Sequence, residues 1–281
     1  MKGHDQSESM SEARAQDDSP RRTRLLRVAE HVRTQNWTAI GIDFLIVVLG
    51  VFVGIQVSNW NSSRLDAAKA DAYVARIVDN LRSDIASIED REVFWGQVIA
   101  HGDSAIRYAE TGELVEGSAW KTVLAFYQAS QVWPWTSNDT TYRELLNGGD
   151  LRLIEDERLR ATLPVYHGSK GELEYLFAMV PEYRRIVRGL SPAAVADHIW
   201  SDCHRITKDF QQTLLDCPSP ISEADAQAVL KGYLGHPDLL PQLRFWVANQ
   251  RVATSTLNVR KAHALQIVYD MGVEPSTAQQ R

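Results

Sequence analysis

Apolar positions are arranged in two ways along this chain. From Ile40 to Val57 they run almost unbroken, and from Val74 onward they recur every three or four residues between charged ones. The unbroken run predicts a membrane span, since about 20 apolar residues at ~1.5 Å rise cover a ~30 Å hydrocarbon core. Roughly a dozen Ile, Leu, Val and Phe residues each favour insertion by about 0.3–0.6 kcal/mol. Together they outweigh Asp43, whose cost of about 3 kcal/mol at mid-bilayer shrinks toward the end of the span, where it lies.

The interrupted pattern predicts helices. Val74, Ile77, Val78, Leu81, Ile85, Ile88 and Trp95 share a face, and no Gly or Pro breaks the chain from Ile55 to Trp95. One long helix of span plus stalk is expected, its short stripe packing within the domain rather than in a free coiled coil. Helical spacing continues over Trp120–Ala129, Thr141–Leu146, Asp156–His167, Glu172–Val187, Pro192–His204, Ser222–Leu234 and Pro237–Tyr269. Pro192 suits a first helical turn, and Ser222 with Asp225 resembles a capping box. Gly148, Gly149, Gly168, Gly189 and Gly235 fall at the breaks. No segment alternates long enough to compete as a strand. The expected fold class is all-α: a membrane helix and stalk followed by an extracytoplasmic helical bundle.

Charge gives the span a direction. Arg21, Arg22, Arg24, Arg27 and Arg33 precede it, whereas Arg64, Lys69 and Arg76 beyond it are interleaved with Asp66, Asp71 and Asp79. The positive-inside rule then puts the N-terminus in the cytoplasm and the bulk of the chain outside. A cleaved signal peptide fits less well, because the leader is long and the apolar run exceeds a signal's core. Cys203 and Cys217, the only cysteines, both fall in the outer segment. In an oxidising compartment such a pair is expected to bond; two buried thiols are the alternative.

The organisation expected is a disordered tail over 1–20 and a basic amphipathic juxtamembrane helix over 21–37. The transmembrane helix over 38–58 then leads into an extracytoplasmic domain over 59–272 and a disordered tail over 273–281. Trp37 and Trp60 bracket the span as interfacial anchors. Net charge is −6 over 281 residues. With no basic cluster beyond the juxtamembrane segment, nothing points to nucleic acid.

Two stretches carry a resemblance. Gln56, Asn59, Trp60 and Asn61 close the apolar run in a Gln-x-x-Asn-Trp-Asn box, and Asp43 matches an acidic position before it. Thr140–His167 supplies the second stretch, departing at Asn147, Gly148 and Gly149. Both resemble a widespread bacterial family of single-span membrane proteins of uncharacterised function (a DUF-type family). The resemblance implies an inner-membrane protein with an outward-facing helical domain, and it supplies no reaction.

Candidate chemistry is sparse. Asp43 and Gln56 are the polar groups of the span; an intramembrane carboxylate suggests assembly or proton response, and a wet headgroup position is the plainer alternative. Gly50 and Gly54 form a Gly-x-x-x-Gly face through which two helices could meet as a homodimer. Asn59, Trp60 and Asn61 read as interface anchors. Trp133 and Trp135 flank a proline in a loop that suits either a stacked ligand or a core lid. His198 and Asp202 share a helical face without an evident third metal ligand. No catalytic fingerprint occurs, and no cofactor is expected. The function expected is that of an envelope scaffold or sensor working through a protein or envelope component; a membrane-tethered hydrolase is the alternative.

Overall fold

The structure is a computed structural model that describes residues 36–168 and 181–272. The expectations for the 1–20 tail, most of the basic segment 21–37, much of Glu172–Val187 and the 273–281 tail lie outside the described residues. The chain divides into two compact units between Leu65 and Asp66.

Helix α1, Trp37–Thr111, contributes to both units. In the first unit its apolar residues are exposed throughout. Residues 59–65, expected to open the outer domain, remain exposed too, and the first buried side chain is Tyr73. From there Ile77, Val78, Leu81, Ile88, Trp95, Val98 and Ala105 continue one buried face. The helix outruns the expected stripe because neither Gly96 nor Gly102 breaks it.

The second unit adds α2 (Ala119–Gln128), α3 (Thr140–Gly148), α4 (Glu157–Gly168), α5 (Glu182–Leu190) and α6 (Ala193–Asp202). A hairpin of β1 (His204–Ile206) and β2 (Gln212–Leu214) follows, then α7 (Glu223–Leu234) and α8 (Leu239–Asp270). All-α describes the fold, with that hairpin as its one two-stranded exception among the described residues.

Helix ends follow local chemistry. Ser222 Oγ accepts the Asp225 N–H at 3.1 Å, as its spacing suggested. Asp156 Oδ1 accepts the Arg158 and Leu159 N–H groups at 2.8 and 3.1 Å and starts α4. Gly149 ends α3 at φ 67°, a left-handed position where glycine carries no Cβ penalty. At α2 the local cap, Ser118 Oγ accepting the Lys121 N–H at 3.3 Å, is joined from a distance: the Glu223 carboxylate accepts the Ala119 N–H at 2.6 Å and the Trp120 N–H at 3.3 Å. Carboxylates suit helix N-termini because the exposed N–H groups and the dipole both favour negative charge.

The expected helix Pro192–His204 stops at Asp202, and His204 opens a strand instead. The cause is the Cys203–Cys217 disulfide, with Cα atoms 5.3 Å apart. It returns the chain so that Leu215 N–H donates to the Cys203 carbonyl at 2.8 Å. Gln97 of α1 clamps the far strand, its amide bonded to the Leu214 carbonyl and N–H at 3.1 and 3.0 Å.

Helix α8 runs antiparallel to α1. Glu110 pairs with Arg244 and Asp103 with Arg251, each at 2.6 Å, and Glu92 with Lys261 at 3.0 Å. The first two pairs are largely exposed and contribute at most about 1 kcal/mol each, while the Glu92–Lys261 pair is half-buried. Register comes from what they flank: Leu243, Val247, Ala253, Leu257 and Ala264 are buried.

Candidate functional site

The first candidate is the apolar part of α1. It is long and apolar enough to cross a membrane, and none of that window is buried by the rest of the chain. Trp37 and Trp60 are 63% and 67% exposed. Twenty-three residues separate them, about 35 Å along a helix at ~1.5 Å per residue, close to the ~30 Å hydrocarbon core plus part of each interface. Asp43 lies about 9 Å inward from Trp37 on the same arithmetic. Gly50 is two turns beyond Asp43 and Gly54 one turn further, so all three share a face. A Cβ at either glycine would meet nothing within 4 Å. Gln56, Asn59 and Asn61 follow, all exposed.

In the second unit, Trp133 and Trp135 are buried at 7% and 2% exposure, so the loop offers no aromatic platform for a stacked ligand. Trp133 meets the Phe94 ring edge-on at 5.3 Å and lies under the Arg91 guanidinium at 3.8 Å. Its carbonyl accepts the Trp95 indole N–H at 3.0 Å. Both rings belong to one buried cluster with Phe94 and Trp95.

Beneath that loop is a buried polar cluster. Asp84, facing inward from α1, accepts the Asn138 backbone N–H at 2.7 Å and the Tyr166 hydroxyl at 2.8 Å. Burial, with the Asp84 charge adding to it, holds the Tyr166 phenol far above its usual range. Arg260 of α8, itself buried, donates to the Tyr166 carbonyl at 3.0 Å. Ser137 Oγ lies 3.4 Å from His167 Nδ1, and the His167 ring stacks on Tyr142 at 4.8 Å. A serine, a histidine and a carboxylate are thus neighbours. The carboxylate, however, serves Tyr166 and a backbone amide, and Ser137 and His167 are both buried. This arrangement ties α1, α3, α4 and α8 together and presents no open nucleophile.

Around the disulfide, ligand atoms of His198, Cys203 and Cys217 approach within 4.8 Å. The two sulfurs are bonded to each other and so are not thiolate ligands. His198 Nδ1 lies 3.2 Å from Asp202, and its Nε2 lies 2.8 Å from the Pro218 carbonyl. The ring therefore braces the α6 end against the Cys217 loop.

The sequence reading passed over a third cluster, Arg184 and Arg188 on α5. Arg184 Nη1 donates to the Ser130 carbonyl at 2.6 Å, and Arg188 Nε donates to Ser130 Oγ at 3.1 Å. Arg188 Nη2 also reaches Gln131 Oε1 at 2.8 Å, and its guanidinium covers the Tyr127 ring at 4.8 Å. Burial and the neighbouring Arg188 lower the Arg184 pKa to about 10; burial lowers Arg188 as well. The available signal was two arginines four apart, beside the buried Tyr183, Ile186 and Val187. Comparison with family models, curated proteins and solved structures finds no match to this chain.

Proposed function

We propose that this is a single-pass membrane-anchored scaffold or sensor whose helical domain works by binding a protein or another envelope component. The supporting observation is the α1 segment from Ile40 to Val57, whose apolar side chains the rest of the chain leaves uncovered. Water would charge about 25 cal/mol per Å² for such a surface, so a lipid bilayer is its natural partner. By the positive-inside rule the arginines before the span support a cytoplasmic N-terminus and an outer domain, and the resemblance to the single-span family supports a bacterial inner membrane with that domain facing the periplasm. The disulfide fits an oxidising compartment. The Gly50–Gly54 face would bring two copies together as a homodimer.

No observation favours the hydrolase reading. Such an enzyme needs converging titratable groups open to substrate, and the Ser137–His167 contact is buried. A reporter fused after Arg281 tests the proposal. Activity is expected only when the reporter is outside the cytoplasm, with the protein in the membrane fraction; cytoplasmic activity sinks the assigned topology. Crosslinking in native membranes then identifies the partner.

A further inference from the structure

Cations elsewhere in the second unit commonly face acids: Lys69, Arg76, Lys121, Arg143, Arg185, Arg244, Arg251 and Lys261 each form an ion pair. Arg184 and Arg188 do not. They flank Arg185, which reaches Glu182 at 3.2 Å, yet among the described residues no carboxylate lies within ion-pairing distance of either. Both are partly buried, one turn apart on one face of α5, and both converge on Ser130.

Two like charges partly withdrawn from water, with no counter-ion among the described residues, are costly, so something should offset them. Carbonyl and hydroxyl acceptors do so only in part. A guanidinium carries five N–H donors. The bonds described engage only Arg184 Nη1 and, on Arg188, Nε and Nη2. Arg184 Nε and Nη2 and Arg188 Nη1 have no protein acceptor among the described residues. The Arg188 charge also reaches His204, whose pKa burial lowers against a hydrogen bond with Gln212, with Arg188 adding to the lowering. Ser130 and Gln131 are buried and fixed, which gives the two forks a rigid base.

We propose that Arg184 and Arg188, seated on the Ser130–Gln131 turn, bind a phosphate group. A planar carboxylate satisfies one fork, whereas a phosphate carries a charge near −2 and three terminal oxygens, enough for both. The inference goes beyond the anchoring and interaction reading and does not depend on which side of the membrane the domain occupies. The phosphate could be free or the headgroup of a lipid monoester; the recognising chemistry is the same.

The test uses the full chain in detergent, modified with phenylglyoxal and mapped by peptide mass. Inorganic phosphate at ten times its dissociation constant should slow modification of Arg184 and Arg188 about tenfold by simple occupancy, while exposed Arg185 reacts unchanged. A parallel arm replaces inorganic phosphate with short-chain phosphatidic acid. Protection by either supports the site, and which of them protects identifies the source. Equal reactivity with and without both phosphates overturns the proposal, as does equal protection by acetate or chloride at matched ionic strength. A second readout follows unfolding temperature. Phosphate should raise it in the wild type and in Arg185→Gln but not in Arg184→Gln/Arg188→Gln. An equal rise in all three overturns the assignment, and if the double variant does not fold, the protection measurement on the wild type decides alone.

Discussion

Gly102 of α1 has no side chain to offer because Val247 of α8 fills its place: a Cβ built there would collide with Val247 Cγ2. The Val247 side chain of the second-longest helix here rests against the backbone of the longest. Gly102→Ala gains about 1 kcal/mol of helix propensity and loses roughly 1–3 kcal/mol to overpacking. Net destabilisation is expected in urea unfolding, and Val247→Ala in the same chain should recover part of it. A more stable Gly102→Ala protein would disprove the close contact.

Asp84 is the keystone of the buried polar cluster. Asp84→Ala strands the Asn138 N–H and the Tyr166 hydroxyl, each left unpaired at a cost of roughly 1–3 kcal/mol. Asp84→Asn retains an acceptor and should cost less, while Tyr166→Phe should cost about 1 kcal/mol. If all three variants unfold at the wild-type midpoint, the cluster is not holding the four helices together.

His101 sets a pH dependence. Burial holds its imidazole down at about 4, against a slight upward pull from Asp216. The unfolded state takes up a proton near the ordinary histidine value of about 6.5, and the native state resists until about 4. The stabilisation from keeping His101 neutral is therefore complete above the unfolded value and lost as pH falls between the two. Each tenfold mismatch in proton affinity is worth about 1.4 kcal/mol. His101→Gln should flatten the stability profile across that window, and an unchanged slope would assign the dependence to other groups.

The homodimer proposed for the span has its own check. Gly54→Ile adds a side chain where backbones would meet, so it should abolish self-association of the span in a two-hybrid assay without impairing insertion. Asp43→Leu should weaken association by about 1 kcal/mol and Asp43→Asn should not. Equal signals from all of them would leave the helix a simple anchor.

What the chain reveals before folding is uneven, for physical reasons. The long apolar helix, the Ser222 cap and the breaks at the glycines are local signals, readable from neighbours in sequence. The hairpin was invisible because strands of three residues are too short to alternate, and a disulfide with Gln97, over a hundred residues away, holds them. Asp84 and Arg260 are charged side chains of the kind that sits on the outward face of an amphipathic helix. Yet Asp84 falls three after Leu81 and four before Ile88, and Arg260 three after Leu257 and four before Ala264. Both occupy core-spaced positions on the buried faces of α1 and α8, so the spacing carried the information that residue type obscured. Trp133 and Trp135 were open to two readings. A tryptophan pair around a proline suits a stacked ligand or a core lid in sequence, and only the fold shows Trp95 and Arg91 packed against it.

The Glu223 cap has a bearing on how the molecule is made. A ribosome releases α2 more than a hundred residues before the carboxylate that completes its first turn. Until α7 emerges, the Ala119 and Trp120 amides have only water to bond, and Ser118 alone caps that end of α2. Maturation of the early half thus waits on the late half, and a polypeptide truncated before Glu223 would expose an unfinished helix, a handle by which quality control could tell incomplete copies from complete ones.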